Sequence, residues 1–148
     1  MMLSLGYNRT LRYEDLDYVG STEDAVEKNK YLLLFTADAA TKKVIQFLTN
    51  KNSYKLIIAE TPEDVKRELV ERIFNLAIID CEQKNQDGYE LVFEIRSDGG
   101  RMETLPIIGL ASSHTATLPR PGEVGLTEIV KKPMNIAKFG QELSKQLA

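Results

Sequence analysis

From residue 31 onward, short continuous apolar runs alternate with stretches whose apolar residues recur at helical spacing. Residues 31–36 (YLLLFT) form an unbroken apolar run, which marks a strand covered on both faces. Residues 41–48 then place Val44, Ile45 and Leu48 on one helical stripe. A second strand is predicted over 54–59. Thr61 and Pro62 open the next helix as cap and first-turn residue, and Val65, Leu69, Val70, Ile73 and Phe74 follow at helical spacing. Residues 76–79 (LAII) predict a third buried strand ending in Asp80. Gly88 leads into a helix carrying Leu91, Val92 and Ile95. Residues 105–110 read as a fourth strand and Ile129 with Val130 as a short fifth. Ile136, Phe139, Leu143 and Leu147 line a last helix.

Strands separated by helices need crossover connections, so the pattern predicts a mostly parallel sheet with helices on both faces. Five such strands suit a doubly wound, flavodoxin-like α/β fold of strand order 2-1-3-4-5. In such folds function gathers at the carboxyl ends of the strands, beside the first and third. Here that crevice is assigned to Thr36, Ala37, Asp38, Asp80, Cys81 and Glu82. The alternation breaks over 114–128 (HTATLPRPGEVGLTE). Pro119, Pro121, Gly122 and Gly125 disfavour a fourth helix there, and an irregular loop or a single turn is expected.

Residues 1–30 have a different texture, polar and with Tyr7, Tyr13 and Tyr18 among few aliphatics. Ser21 and Asp24 give a weak helix start for 22–27. The expectation is a partly ordered N-terminal arm, or a docking segment, ahead of one domain over 31–148.

Composition narrows the function classes. The 148 residues are 43% hydrophobic and 28% charged, with a net charge of -3, the balance of an ordinary globular domain. Charges of both signs are mixed, without the basic stripe that nucleic-acid binding requires. No apolar run nears the roughly 20 residues of a membrane helix, and Met1-Met2-Leu3-Ser4 lacks a secretory pattern, so a cytoplasmic location is expected. Cys81 is the only cysteine, which excludes an internal disulfide. Without a second cysteine or a cationic neighbour in sequence, it reads as a small buried residue rather than a redox sensor. His114 is the only histidine, which excludes a His-rich metal cluster.

Asp80 follows four buried aliphatics at a strand end. After it come CEQKNQ, then Asp87-Gly88-Tyr89-Glu90-Leu91 and, one turn on, Ile95-Arg96. Leu105-Pro106-Ile107-Ile108-Gly109-Leu110 forms the fourth strand, and the fifth ends in Lys132-Pro133. In order and spacing, these pieces over about 30–148 resemble the response-regulator receiver domains of two-component signalling. The resemblance implies that Asp80 is the phosphoacceptor and Lys132 the phosphoryl-binding lysine, on a cis peptide before proline. It further implies that Mg²⁺ is held by Asp80, the Glu82 backbone carbonyl and an acidic pair after the first strand. An aspartate attacking a phosphoryl group gives an acyl phosphate, and positive charge stabilises the equatorial oxygens of its transition state.

The departures from that pattern cluster at the same pocket. Thr36 and Ala37 stand where the acidic pair belongs, and Asp38 comes one residue later as a displaced metal ligand. With so few side-chain ligands, octahedral Mg²⁺ binds poorly. Ala111 stands at the hydroxyl position after the fourth strand; Ser112 reaches it only through a one-residue bulge. Ile129 replaces the switch aromatic, and Gln83-Lys84 the Met-Pro before the D-G turn. The expectation is a pseudo-receiver, not an enzyme, that acts by binding a histidine kinase, a phosphotransfer protein or a downstream effector, with a homodimer as a candidate assembly. One alternative is a working phosphoacceptor modified on Asp80. Another, of a different class, is a small flavodoxin-like enzyme or flavin carrier. It is disfavoured because the loop TADAAT has no glycine to cradle a phosphate and the chain has no tryptophan to stack on a flavin.

Overall fold

The computed structural model describes residues 29–83, 86–112 and 117–148. The N-terminal arm, with Tyr7, Tyr13, Tyr18 and the short helix expected over 22–27, lies outside the described residues, as does His114. Tyr31–Ala148 forms one compact unit.

In chain order its elements are β1 (Tyr31–Phe35), α1 (Ala39–Lys51), β2 (Lys55–Ala59), α2 (Pro62–Glu71) and β3 (Leu76–Asp80). Two-residue strands β4 (Glu82–Gln83) and β5 (Gln86–Asp87) follow, then α3 (Gly88–Ser97) and a 3-10 turn at Gly100–Glu103. The chain continues through β6 (Ile107–Ala111), a second 3-10 turn at Pro121–Val124, β7 (Glu128–Lys131) and α4 (Ile136–Leu147). Five strands form one parallel sheet in the order β2-β1-β3-β6-β7, the doubly wound arrangement expected from the alternation of runs. β4 and β5 pair antiparallel as a separate ribbon, which polar residues without apolar alternation do not announce.

Side chains of a strand point alternately to its two faces, and β1 divides its aliphatics between two cores accordingly. Leu33 and Phe35 pack with Val65 and Leu69 of α2 and with Leu91, Val92 and Ile95 of α3. Leu32 and Leu34 pack on the opposite face with Ile45 and Leu48 of α1 and with Phe139 and Leu143 of α4. β3 and β6, covered on both sides, are buried throughout. Each helix begins on a side chain that accepts from its first free N–H groups: Asp38 from Ala40, Thr61 from Asp64, Asp87 from Tyr89 and Glu90, and Asn135 from Lys138. None of the helices among the described residues is long and apolar enough to cross a membrane.

The stripe read on α2 is narrower than its spacing suggests. Val65, Leu69 and Phe74 are buried, but Val70 and Ile73 are 80% and 69% exposed. Val70 lies within α2 but off its buried face, which Val65 and Leu69 form; α2 then stops at Glu71 and Arg72 is extended, so Ile73 is no longer in helical phase.

No fourth long helix lies among the described residues between β6 and β7; one 3-10 turn stands there, ending on Gly125 at φ 80°. Arg96 of α3 fastens this segment. Its Nε donates to the Gly125 carbonyl at 2.8 Å, and its Nη1 to the carbonyls of Met102 at 2.8 Å and Leu105 at 2.7 Å. One guanidinium, with donors in a fixed fork, thus ties together the loops on both flanks of β6. Leu126 closes the gap by packing on Gly109, where an added Cβ would stand 2.6 Å from Leu126 Cδ1.

Candidate functional site

The register of the sheet assembles the pocket. Phe35 pairs with Ile79, Asp80 with Leu110 and Ala111 with Lys131, so Thr36, Asp80, Ser112 and Lys132 all arrive at the carboxyl edge. The Lys132 N–H donates to the Ala111 carbonyl at 2.9 Å, and the Lys132–Pro133 peptide is cis.

Asp80 is 1% exposed. A buried carboxylate needs paired charge and hydrogen bonds, and this one has both on a single oxygen. Oδ2 accepts from Lys132 Nζ at 2.9 Å and from Thr36 Oγ1 at 2.7 Å. Oδ1 is buried with no hydrogen-bond partner. Thr36 therefore serves as a donor to Asp80, a role the sequence reading missed. Its Oγ1 also accepts from the Asp38 N–H at 3.1 Å.

Asp38 points its carboxylate elsewhere. It caps α1, accepting from the Ala40 N–H at 3.3 Å and from the Thr41 hydroxyl. The Thr41 hydroxyl above all holds its pKa below the usual carboxylate value; burial, the next largest effect, opposes this, and the Ala40 N–H and the Lys132 charge lower it further.

Glu82 and Gln83 form the rim opposite. Glu82 Oε1 accepts from the Ser112 N–H at 3.2 Å, and Oε2 from the Tyr89 hydroxyl at 3.5 Å. Gln83 reaches across to the segment after β1, where its Oε1 accepts from the Ala37 N–H at 2.7 Å, while its Nε2 is buried without a partner. No residue pattern distinguished Gln83 beforehand, because an uncharged amide in a polar loop carries no spacing signal. Of the sequence-predicted residues, Asp80 and Lys132 are joined by their ion pair, Glu82 and Ser112 by the bond from the Ser112 N–H to Glu82 Oε1, and Asp38 faces the start of α1. Among the described residues, no group of three His, Cys, Asp or Glu side chains is arranged to hold a metal ion.

Cys81, next to Asp80, faces the core at 3% exposure, with its thiol against the Ile79 carbonyl. Burial first, then the neighbouring carboxylates of Asp80 and Glu82, push its pKa up to about 12. The thiolate fraction at pH 8 is then on the order of 10⁻⁴, and the thiolate is the reactive form. Native protein is expected to leave Ellman's reagent unreacted at pH 8 over an hour, and guanidinium-unfolded protein to react within minutes. Rapid reaction of the native chain would show that the thiol is not buried.

No family model matches the chain. Over 78 residues it is 30% identical to ethylene receptor 2 of rice, Oryza sativa, a match covering 52% of this chain and 10% of the receptor. The chain thus spans about a tenth of the length of that curated relative. Among solved structures it resembles the receiver domain of the sensor histidine kinase PA1611 from Pseudomonas aeruginosa, which holds a magnesium ion in its active-site cleft. There the TM-score is 0.70 at 19% identity, over 80% of this chain and 98% of that one. A CheY-like receiver domain protein from Methanospirillum hungatei gives 0.67 at 21% identity, over 80% and 93%. The N-terminal domain of the nisin resistance regulator NsrR gives 0.70 at 20%, over 80% and 98%. Likeness at such identities concerns the fold: the chain has the fold of a response-regulator receiver domain.

Proposed function

We propose that this chain is an atypical receiver-type signalling domain that works through contact with another protein and does not depend on Mg²⁺-assisted phosphorylation. The observation that carries this reading is the position of the acidic side chains around Asp80. Thr36 takes the place of one metal ligand, and Asp38 spends its carboxylate on the start of α1. Mg²⁺ requires near-octahedral oxygen ligation and is reluctant to shed water. One carboxylate, half of it committed to Lys132 and Thr36, does not fit that need, so no step is routed through a metal. The domain is then a binding module rather than an enzyme. Its partner is a histidine kinase, a phosphotransfer protein or a downstream effector, met by the domain surface or by the segment of residues 1–30.

A second reading, phosphorylation on Asp80, draws on one feature. Lys132 stands 2.9 Å from Asp80 Oδ2 while Oδ1 has no partner, the arrangement of a nucleophilic oxygen beside a fixed positive charge. Incubation with phosphoramidate and Mg²⁺, read by intact-protein mass, separates the two. The expected result is unmodified protein. A phosphoryl adduct that disappears in Asp80→Asn would replace the first reading with the second.

A further inference from the structure

Two buried side-chain atoms among the described residues lack a hydrogen-bond partner, Asp80 Oδ1 and Gln83 Nε2. They are of opposite kind: one accepts and the other donates. They also share a location. The Asp80 carboxylate is tied to Thr36 and the Gln83 carboxamide to Ala37, consecutive residues whose Cα atoms are about 3.8 Å apart. An unmet buried polar group is costly, and more so when it is charged, so an unmet acceptor and an unmet donor held at the end of the same strand call for a shared partner.

We infer that the crevice beside Asp80 takes one small uncharged ligand, a water molecule bridging Asp80 Oδ1 and Gln83 Nε2, and that Gln83 excludes a divalent cation from this position. A water satisfies both atoms at once, donating to Oδ1 and accepting from Nε2. A cation satisfies only the first, and meets an N–H where it needs an oxygen. The carboxamide has no easy escape by turning over, because Oε1 already accepts from the Ala37 N–H at 2.7 Å. Turned the other way, two donors would oppose each other. Each polar atom of Asp80 and Gln83 then has a partner: Lys132 and Thr36 on one oxygen of Asp80, the water on the other and on Gln83 Nε2, and the Ala37 N–H on Gln83 Oε1.

This inference deepens the reading of an atypical pocket and rests on it, but its test is separate. Crystals of the full chain, grown or soaked with Mn²⁺, are examined for anomalous scattering beside Asp80, together with crystals of the isosteric variant Gln83→Glu. The expected result in the unaltered chain is a water within hydrogen-bonding distance of both atoms and no anomalous peak. In Gln83→Glu, which turns the repelling donor into a second carboxylate, an anomalous peak beside Asp80 is expected. Manganese at Asp80 in the unaltered chain would overturn the inference, as would the absence of a bridging water. A folded Gln83→Glu protein without manganese would also overturn it, by removing Gln83 as the excluding group. A chain that accepts a phosphoryl group yet shows the water and no manganese would refute the proposed function and leave this inference standing.

Discussion

Gly88→Ala is expected to destabilise the domain by about 3 kcal/mol, the upper part of the usual range for forcing extra atoms into a packed site. At most helical positions the same exchange stabilises by up to about 1 kcal/mol, because alanine has the better helix propensity. The sign reverses here because of what lies against Gly88. A Cβ would stand 2.5 Å from the Asp80 carbonyl oxygen and 2.5 Å from Cys81 Cα, both backbone atoms. Neither moves without displacing the end of β3, where Cys81 N–H is bonded to the Leu110 carbonyl at 2.9 Å and Gly88 N–H to the Cys81 carbonyl at 3.3 Å. The start of α3 is thus seated directly on the strand that carries Asp80. Urea unfolding followed by circular dichroism measures the effect. A loss below about 0.5 kcal/mol, the scatter of neutral surface changes, would mean that α3 does not approach β3 this closely.

The second large effect concerns the ion pair. Lys132→Met is expected to cost about 3–5 kcal/mol, the range found when one member of a buried pair is removed and the other charge stays buried. Asp80 is the member that stays buried: its side chain is 1% exposed, against 21% for Lys132. Asp80→Asn should be much cheaper, within about 1–2 kcal/mol, because the stranded lysine reaches water and the asparagine retains the Thr36 hydrogen bond. The pair Lys132→Met with Asp80→Asn should then be more stable than Lys132→Met alone. A double-mutant cycle under denaturant gives all three values. Equal costs for the two single changes would contradict the asymmetry in burial.

Much of this architecture was legible in the order of residues because burial on both faces leaves a plain mark. β3 and β6 are continuous apolar runs since no face of either meets water, and the crossovers between parallel strands then fix the sheet's order. Boundaries were less visible. The fourth strand of the sheet begins at Ile107, two residues after the apolar run starts, with Pro106, which has no N–H for the ladder, just ahead of it. Val70 and Ile73 fitted a helical stripe on paper but are exposed, Val70 on the outer side of the last turn and Ile73 past the helix end.

The site was legible in its ends and not in its middle. Asp80 and Lys132 stand at strand ends, and the register that joins them follows from the fold. Their partner Thr36 could have been found from the same register, since Phe35 pairs with Ile79 and the next residues on both strands fall side by side. Gln83 could not. Its contact with Ala37 depends on the β4–β5 ribbon turning the chain back over the crevice, and the pairing of Glu82 with Asp87 and of Gln83 with Gln86 has no apolar signature. Asp38 shows the reverse difficulty. One residue past the acidic position, its sequence context is compatible with a metal ligand, but a free helix N-terminus next to an aspartate is a strong local competitor for that carboxylate.

The central claim, that this fold signals without a metal-dependent phosphorylation switch, is tested most directly by two-dimensional amide NMR. The chain is titrated with Mg²⁺ and then with beryllofluoride, a mimic of the acyl phosphate, alongside Asp80→Asn. The expected result is unchanged amide positions for Thr36, Asp80, Cys81 and Lys132 at millimolar ligand, identical in the two proteins. Shifts at these amides that require Mg²⁺, appear on adding beryllofluoride and vanish in Asp80→Asn would contradict the claim and make Asp80 a working phosphoacceptor.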